Sequence, residues 1–163
     1  MNQYIKTIRR SSAIGLWGSV GLCIAAALFG LASRYRFYPS EYTRRWMLIA
    51  GSVLAVLAMS MTLLTIRKQV PVIRQTEALE EKLKAYAQHV RSVYLTMLGV
   101  VALLCAGAVF SAQNLLLALA MLATLMLFLA YPNMYKMKVD LGLGDEEMQS
   151  LFGEKYISDG EKQ

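Results

Sequence analysis

The chain has 163 residues, which is the length of a single domain. Hydrophobic residues make up 56 % of it and charged residues 17 %, whereas a soluble domain carries about 25 % charge. The net charge is +6. The Lys and Arg residues that produce it lie at the edges of apolar stretches, where cationic side chains meet phospholipid headgroups. This pattern excludes an ordinary soluble domain and speaks against nucleic-acid binding.

Three stretches contain no charged residue and no histidine: 11–33, 46–66 and 92–135. As a helix, the last would reach roughly 65 Å, twice the thickness of a bilayer, so it must fold back, and the polar break from Ser111 to Asn114 is the place for that turn. Asn114 is expected to cap the helix that follows. The prediction is an all-α integral membrane fold with four transmembrane helices arranged as two hairpins, over residues 12–32, 46–66, 93–112 and 115–131.

The N-terminal segment 1–11 is predicted to be a basic tail that precedes the first span. A cleaved signal peptide is the alternative, because small residues at Gly30–Ala32 resemble a peptidase site. The apolar region is longer than the usual 7–15 residues of a signal peptide, and Arg34 follows closely. We therefore expect the first span to be retained.

Small residues are concentrated in the first span. They let helix backbones approach closely, which stabilises packing inside a bilayer. The predicted contact is with the chain's own second or third span, and an oligomer contact is the alternative. The residues assigned to this helix-packing interface are Gly15, Gly18, Ser19, Gly21 and Ala25.

The connector 67–91 is predicted to be cytoplasmic. After Pro71 it has the pattern of a helix, with Leu79, Leu83 and Tyr86 on one face, and this long amphipathic helix is expected to continue into the third span. His89, which lies at the membrane interface, is expected to face water or headgroups.

The tail 133–163 is polar and contains one predicted short helix at about 145–152. Met148, Leu151 and Phe152 share a face of that helix. A helix of about eight residues is marginal alone in water, so we expect it to dock on Leu79, Leu83 and Tyr86 of the connector or on a partner. Charge pairs between Glu146 or Glu147 and Lys82 or Lys84 are expected to assist. A frayed tail with transient helix is the alternative.

Counting Lys and Arg near the spans gives 11 on the side of the two termini and 4 on the other side. The positive-inside rule therefore predicts that both termini are cytoplasmic, and we expect the bacterial plasma (inner) membrane. The four arginines of the first external loop, among them Arg34 and Arg36, run against this rule.

No catalytic, cofactor-binding or metal-binding motif is present, and Cys23 and Cys105 are expected to pack as small hydrophobic residues. The spans contain no ionisable coupling group, which speaks against a transporter that acts alone. The prediction is an accessory or scaffold subunit, not an enzyme and without a cofactor, that binds partners through span faces and cytoplasmic helices. Its partners would be the lipid bilayer and a membrane protein or a second copy of the chain. The alternative is a small transporter or channel subunit that is active only as an oligomer.

Overall fold

The computed structural model describes residues 2–32, 40–76, 78–111 and 113–152, and all regular structure in these ranges is helical. Arg34, Arg36, Ala112 and the tail beyond Phe152 lie outside the described residues. The six helices are α1 (Asn2–Ala32), α2 (Glu41–Arg74), α3 (Leu79–Ser111), α4 (Asn114–Leu129), α5 (Met134–Leu141) and α6 (Asp145–Phe152).

Three helices, α1, α2 and α3, are long and apolar enough to cross a membrane. The fourth predicted span corresponds to α4, which has 16 residues and reaches spanning length only together with α5, from which it is bent by 75°. With 31 to 34 residues each, the long helices measure about 45–50 Å. They therefore exceed the hydrocarbon layer of about 30 Å, and three to four such helices suggest a membrane protein.

Several helix ends differ from the prediction. The segment 1–11 was expected to be a tail, but α1 begins at Asn2. The connector helix was expected to begin after Pro71, whereas Pro71 lies inside α2, which ends at Arg74, and α3 begins only at Leu79. A proline leaves the carbonyl four residues earlier without its N–H partner. That residue, Arg67, is exposed, so water can satisfy the carbonyl and the helix continues.

The turn between α3 and α4 is also closed differently. Gln113, not Asn114, is the N-cap of α4, and it makes no side-chain capping bond. Its Nε2 instead donates to the carbonyl of Arg44 at 3.0 Å, which ties this turn to the start of α2.

The central helix of the bundle is α3, which packs on α1, α2 and α4. Helices α1 and α3 are parallel, because Gly15 lies beside Tyr94 and Gly18 beside Leu98 in ascending order. The residues of α3 that face the bundle are almost fully buried, and Tyr94, Met97, Val101 and Leu104 are each no more than 1 % exposed.

Two glycines let α4 pack close to α2 and α3. A Cβ added at Gly51 of α2 would lie 2.6 Å from Leu116 Cδ2, and one added at Gly107 of α3 would lie 3.2 Å from Leu116 Cδ1. Leu116 is 1 % exposed. Elsewhere α2 is loosely held, since among its 34 residues only Ala55 and Ile73 are buried.

The start of α1, the turn between α2 and α3, and helices α5 and α6 gather at one end of the bundle, which we call the basal end. Helix α5 is capped by Asn133, whose side chain accepts from the Lys136 N–H at 2.7 Å. Its C-cap is Gly142, which has the left-handed conformation with φ 63°. Helix α6 covers the range predicted for the tail helix, and Glu147 Oε2 accepts from the Gly144 N–H at 2.9 Å, as in half of a capping box.

Candidate functional site

Of the five residues assigned to the helix-packing interface, two face α3 and a third is buried. A Cβ at Gly15 would lie 2.7 Å from Tyr94 Cδ1, and one at Gly18 would lie 3.2 Å from Leu98 Cδ1. Ser19 is fully buried, and its hydroxyl donates to the Gly15 carbonyl at 2.7 Å. These small residues set the distance between α1 and α3.

The other two residues assigned to that interface lie elsewhere on α1. Gly21 and Ala25 are exposed, and a Cβ at Gly21 would meet nothing within 4 Å. At about 100° per residue, Gly21 is turned about 120° away from Gly15 around the helix axis. The predicted face therefore spans two sides of α1, of which only one is a contact within the chain.

The six residues assigned to a cytoplasmic interaction belong to the core of the basal end. Leu83, Tyr86, Met148 and Leu151 are buried in one hydrophobic cluster, with Leu79 and Phe152 partly buried against it. The guanidinium of Arg9 lies 5.9 Å from the centre of the Phe152 ring, a cation–π contact between α1 and α6.

The charge contacts of α6 differ from those expected. Asp145 pairs with Lys138 of α5, while Glu147 is occupied by the capping bond to Gly144. These contacts connect the tail helix to α5 and α1.

Behind this core lies a polar cluster that the sequence did not indicate. His89 was expected to be solvated, but it is only 8 % exposed, and its Nδ1–H donates to Gln69 Oε1 of α2. The Tyr86 hydroxyl donates to Asp140 Oδ2 of α5 at 2.9 Å. Two pairs of side chains therefore join α3 to its neighbours just before its charge-free part begins at Ser92.

The surroundings of Tyr86 and His89 favour the uncharged form of both side chains. Burial raises the pKa of the Tyr86 phenol, and the adjacent Asp140 carboxylate raises it further. Burial lowers the pKa of His89, against the opposing attraction of Asp140. At neutral pH both side chains are therefore uncharged hydrogen-bond donors.

Two spaces adjoin His89. A cavity of about 30 Å³ beside Tyr86 and Asp140 is large enough for a water molecule. A wider groove of about 420 Å³ runs between α2 and α3. The groove is lined by Lys68, Gln69, Val72, Ile73, Ala85, Gln88, His89 and Ser92.

The two cysteines meet inside the bundle, a contact that their separation of 82 residues in the chain concealed. Their Sγ atoms lie 3.9 Å apart, and Cys23 Sγ lies 3.7 Å from Thr124 Oγ1. Both thiols are free and buried. Within the described parts of the chain, no three His, Cys, Asp or Glu side chains form a metal-ligating group.

Family models, curated proteins and solved structures were each compared with this chain, and none of the three comparisons found a match.

Proposed function

We propose that the protein is an accessory or scaffold subunit of the bacterial inner membrane, with both termini in the cytoplasm. It binds a membrane-protein partner through an exposed span face and through its basal end. The observation that carries this proposal is the packed basal end, which includes the parts of α2 and α3 that continue past their apolar segments.

The basal end has a packed core of its own. Helix α2 continues past Ile66 to Arg74, about 12 Å at the helical rise, and α3 runs about 20 Å before Ser92. Between and beside them, Leu83, Met137, Leu141 and Met148 are no more than 2 % exposed. A chain that needed only to span the bilayer would not require this packed core, so the core supports a role in contacts outside the membrane.

Helix α2 supplies the membrane face of the proposed contact. Ala55 is fully buried, while Val56, Leu57 and Met61 are between 58 % and 65 % exposed. Large apolar side chains of this kind suit either lipid or the flank of another transmembrane helix. Val72 is 66 % exposed and lines the groove between α2 and α3, so one helix carries both proposed surfaces.

The sharpest test is photo-crosslinking in the native membrane. A photoreactive amino acid replaces Leu57 or Val72, which are exposed, and Ala55, which is fully buried, serves as the matched control on the same helix. We expect a discrete heteromeric adduct from the two exposed positions and none from Ala55. Adducts only between copies of this chain would favour the alternative, an oligomeric transport subunit, and adducts to lipid alone would overturn both readings.

The orientation is tested separately. The 11 Lys and Arg residues on the side of the termini motivate the proposal that the basal end is cytoplasmic. Reporters that are active only in the cytoplasm, fused to either end, should be active, and reporters that are active only outside should be silent. Activity of an outside reporter at either terminus would contradict the topology.

A further inference from the structure

A basic cleft lies between α1 and α3, separate from the groove between α2 and α3. It has a volume of about 370 Å³. Thr7, Arg10, Ser11 and Ile14 of α1 and Arg91 and Leu95 of α3 line it. Arginines from two different helices therefore line one space.

The cleft lies at the boundary between the polar and apolar parts of the bundle. Arg10 is the last charged residue before the charge-free segment of α1, and Arg91 is the last before that of α3. Because α1 and α3 are parallel, the two arginines lie at the same level. One turn deeper, Ile14 and Leu95 are each 50 % exposed, so the cleft passes from cationic to apolar along its length.

Nothing within the described chain neutralises these two arginines. No carboxylate lines the cleft, and neither Arg10 nor Arg91 forms an ion pair with a described residue. The neighbouring Arg9 differs, since it packs on Phe152. Two arginines that line one space and form no ion pair with a described residue create a strong local preference for an anion.

The hydrogen-bond donors that line the cleft indicate which kind of anion it can bind. The Thr7 hydroxyl donates to the Gln3 carbonyl at 2.9 Å and is therefore occupied. The Ser11 hydroxyl is half-buried and makes no hydrogen bond to a described residue, so it is available alongside the two guanidinium forks. Planar guanidinium groups match the oxygen spacing of a phosphate and bind it through two parallel hydrogen bonds.

We propose that this cleft binds the phosphate group of an anionic phospholipid, with Arg10, Arg91 and Ser11 holding the phosphate and Ile14 and Leu95 contacting the first part of an acyl chain. A free phosphate ion shares the anion chemistry but gains nothing from the apolar walls. A zwitterionic lipid brings its own cation towards two arginines that have no carboxylate nearby. The cleft therefore favours the phosphate group of a phospholipid whose headgroup carries no positive charge.

The test uses the full-length protein purified in neutral detergent and native mass spectrometry with phosphatidylglycerol or phosphatidylcholine of identical acyl chains. We expect retention of one phosphatidylglycerol molecule per chain in preference to phosphatidylcholine. The double variant Arg10→Gln/Arg91→Gln should bind phosphatidylglycerol at least roughly tenfold more weakly, the usual effect of losing charge-assisted hydrogen bonds. The matched control Arg67→Gln/Lys84→Gln removes the same charge from residues outside the cleft and should keep the wild-type affinity.

A second double variant distinguishes a specific loss of lipid binding from misfolding. Arg10→Lys/Arg91→Lys keeps both charges but loses the planar forks, and it should show an intermediate affinity. Inorganic phosphate, titrated against bound phosphatidylglycerol, distinguishes the source of the anion. Displacement of the lipid by phosphate at equal concentration, equal retention of both lipids, or equal loss of binding in the cleft and control variants would each overturn the proposal.

Discussion

Replacing Gly15 by alanine tests how closely α1 and α3 pack. The added Cβ would lie 2.7 Å from Tyr94 Cδ1 and 2.8 Å from Tyr94 Cβ. Rotation of the ring cannot relieve the second contact, because Cβ is attached to the backbone of α3. The two helices must move apart, and Tyr94, which is 1 % exposed and donates its hydroxyl to the Leu127 carbonyl at 2.9 Å, must move with them.

The size of the effect follows from three contributions. Overpacking of a buried contact costs about 1–3 kcal/mol. Weakening of the Tyr94 hydrogen bond adds about 0.5–1.5 kcal/mol. Alanine returns about 0.5–1 kcal/mol through its higher helix propensity. We expect Gly15→Ala to lower the free energy of unfolding by about 2 kcal/mol, or roughly 4–8 °C in Tm for a chain of this size.

The matched control lies on the same helix. Gly21→Ala makes the same chemical change, but its Cβ meets nothing within 4 Å, so this variant should be unchanged or slightly more stable. Thermal unfolding in detergent, followed by loss of helical circular dichroism, measures both variants. If the two variants unfold together, or if Gly21→Ala is the less stable, the assigned contact between α1 and α3 is wrong.

Three further predictions concern the basal end. Gly142→Ala should cost about 1–2 kcal/mol, because φ is 63° there and its Cβ would lie against the Arg74 side chain; stability equal to that of the wild type in chemical unfolding would contradict the left-handed cap. The pKa of His89 is lowered by burial, so the unfolded chain takes up its proton first as the pH falls. Stability should therefore decline below a pH of about 6.5, and a His89→Gln variant that declines equally over the same range in a Tm series would assign the loss to another group. Met148 is fully buried, so Met148→Ala should release α6 and speed hydrogen exchange across 145–152; unchanged protection there would show that other contacts hold the tail.

Length and apolar pattern were enough to predict much of the helical architecture. A helix satisfies all its backbone groups within one segment, so a charge-free segment long enough to cross a bilayer predicts α1, α2 and α3. The continuous helix from the connector into the third span was predicted from the spacing of Leu79, Leu83 and Tyr86, and α3 has this form. The tail helix was predicted from its apolar spacing and from the acidic residues at its start, which are local signals.

Predictions from local sequence were wrong where contacts with a neighbouring helix determine the structure. Asn114 has the preferred side chain for an N-cap, but Gln113 takes that place and reaches across to Arg44. Pro71 marks a break in sequence, yet α2 continues to Arg74. His89 has the pattern of an interfacial residue and is buried against Gln69, 20 residues away.

The sequence alone determined that this chain forms long apolar helices with basic flanks and a short amphipathic tail helix, because those properties depend on composition and on spacing within one helix. Which faces meet was decided by the tertiary structure. Gly15 and Gly21 are the same residue type on the same helix, yet one lies against Tyr94 and the other meets nothing within 4 Å. Arg10 and Arg91 line one cleft for the same reason, since the rotation and register of two parallel helices depend on contacts between residues about 80 positions apart in the chain. No periodicity within either helix carries that information.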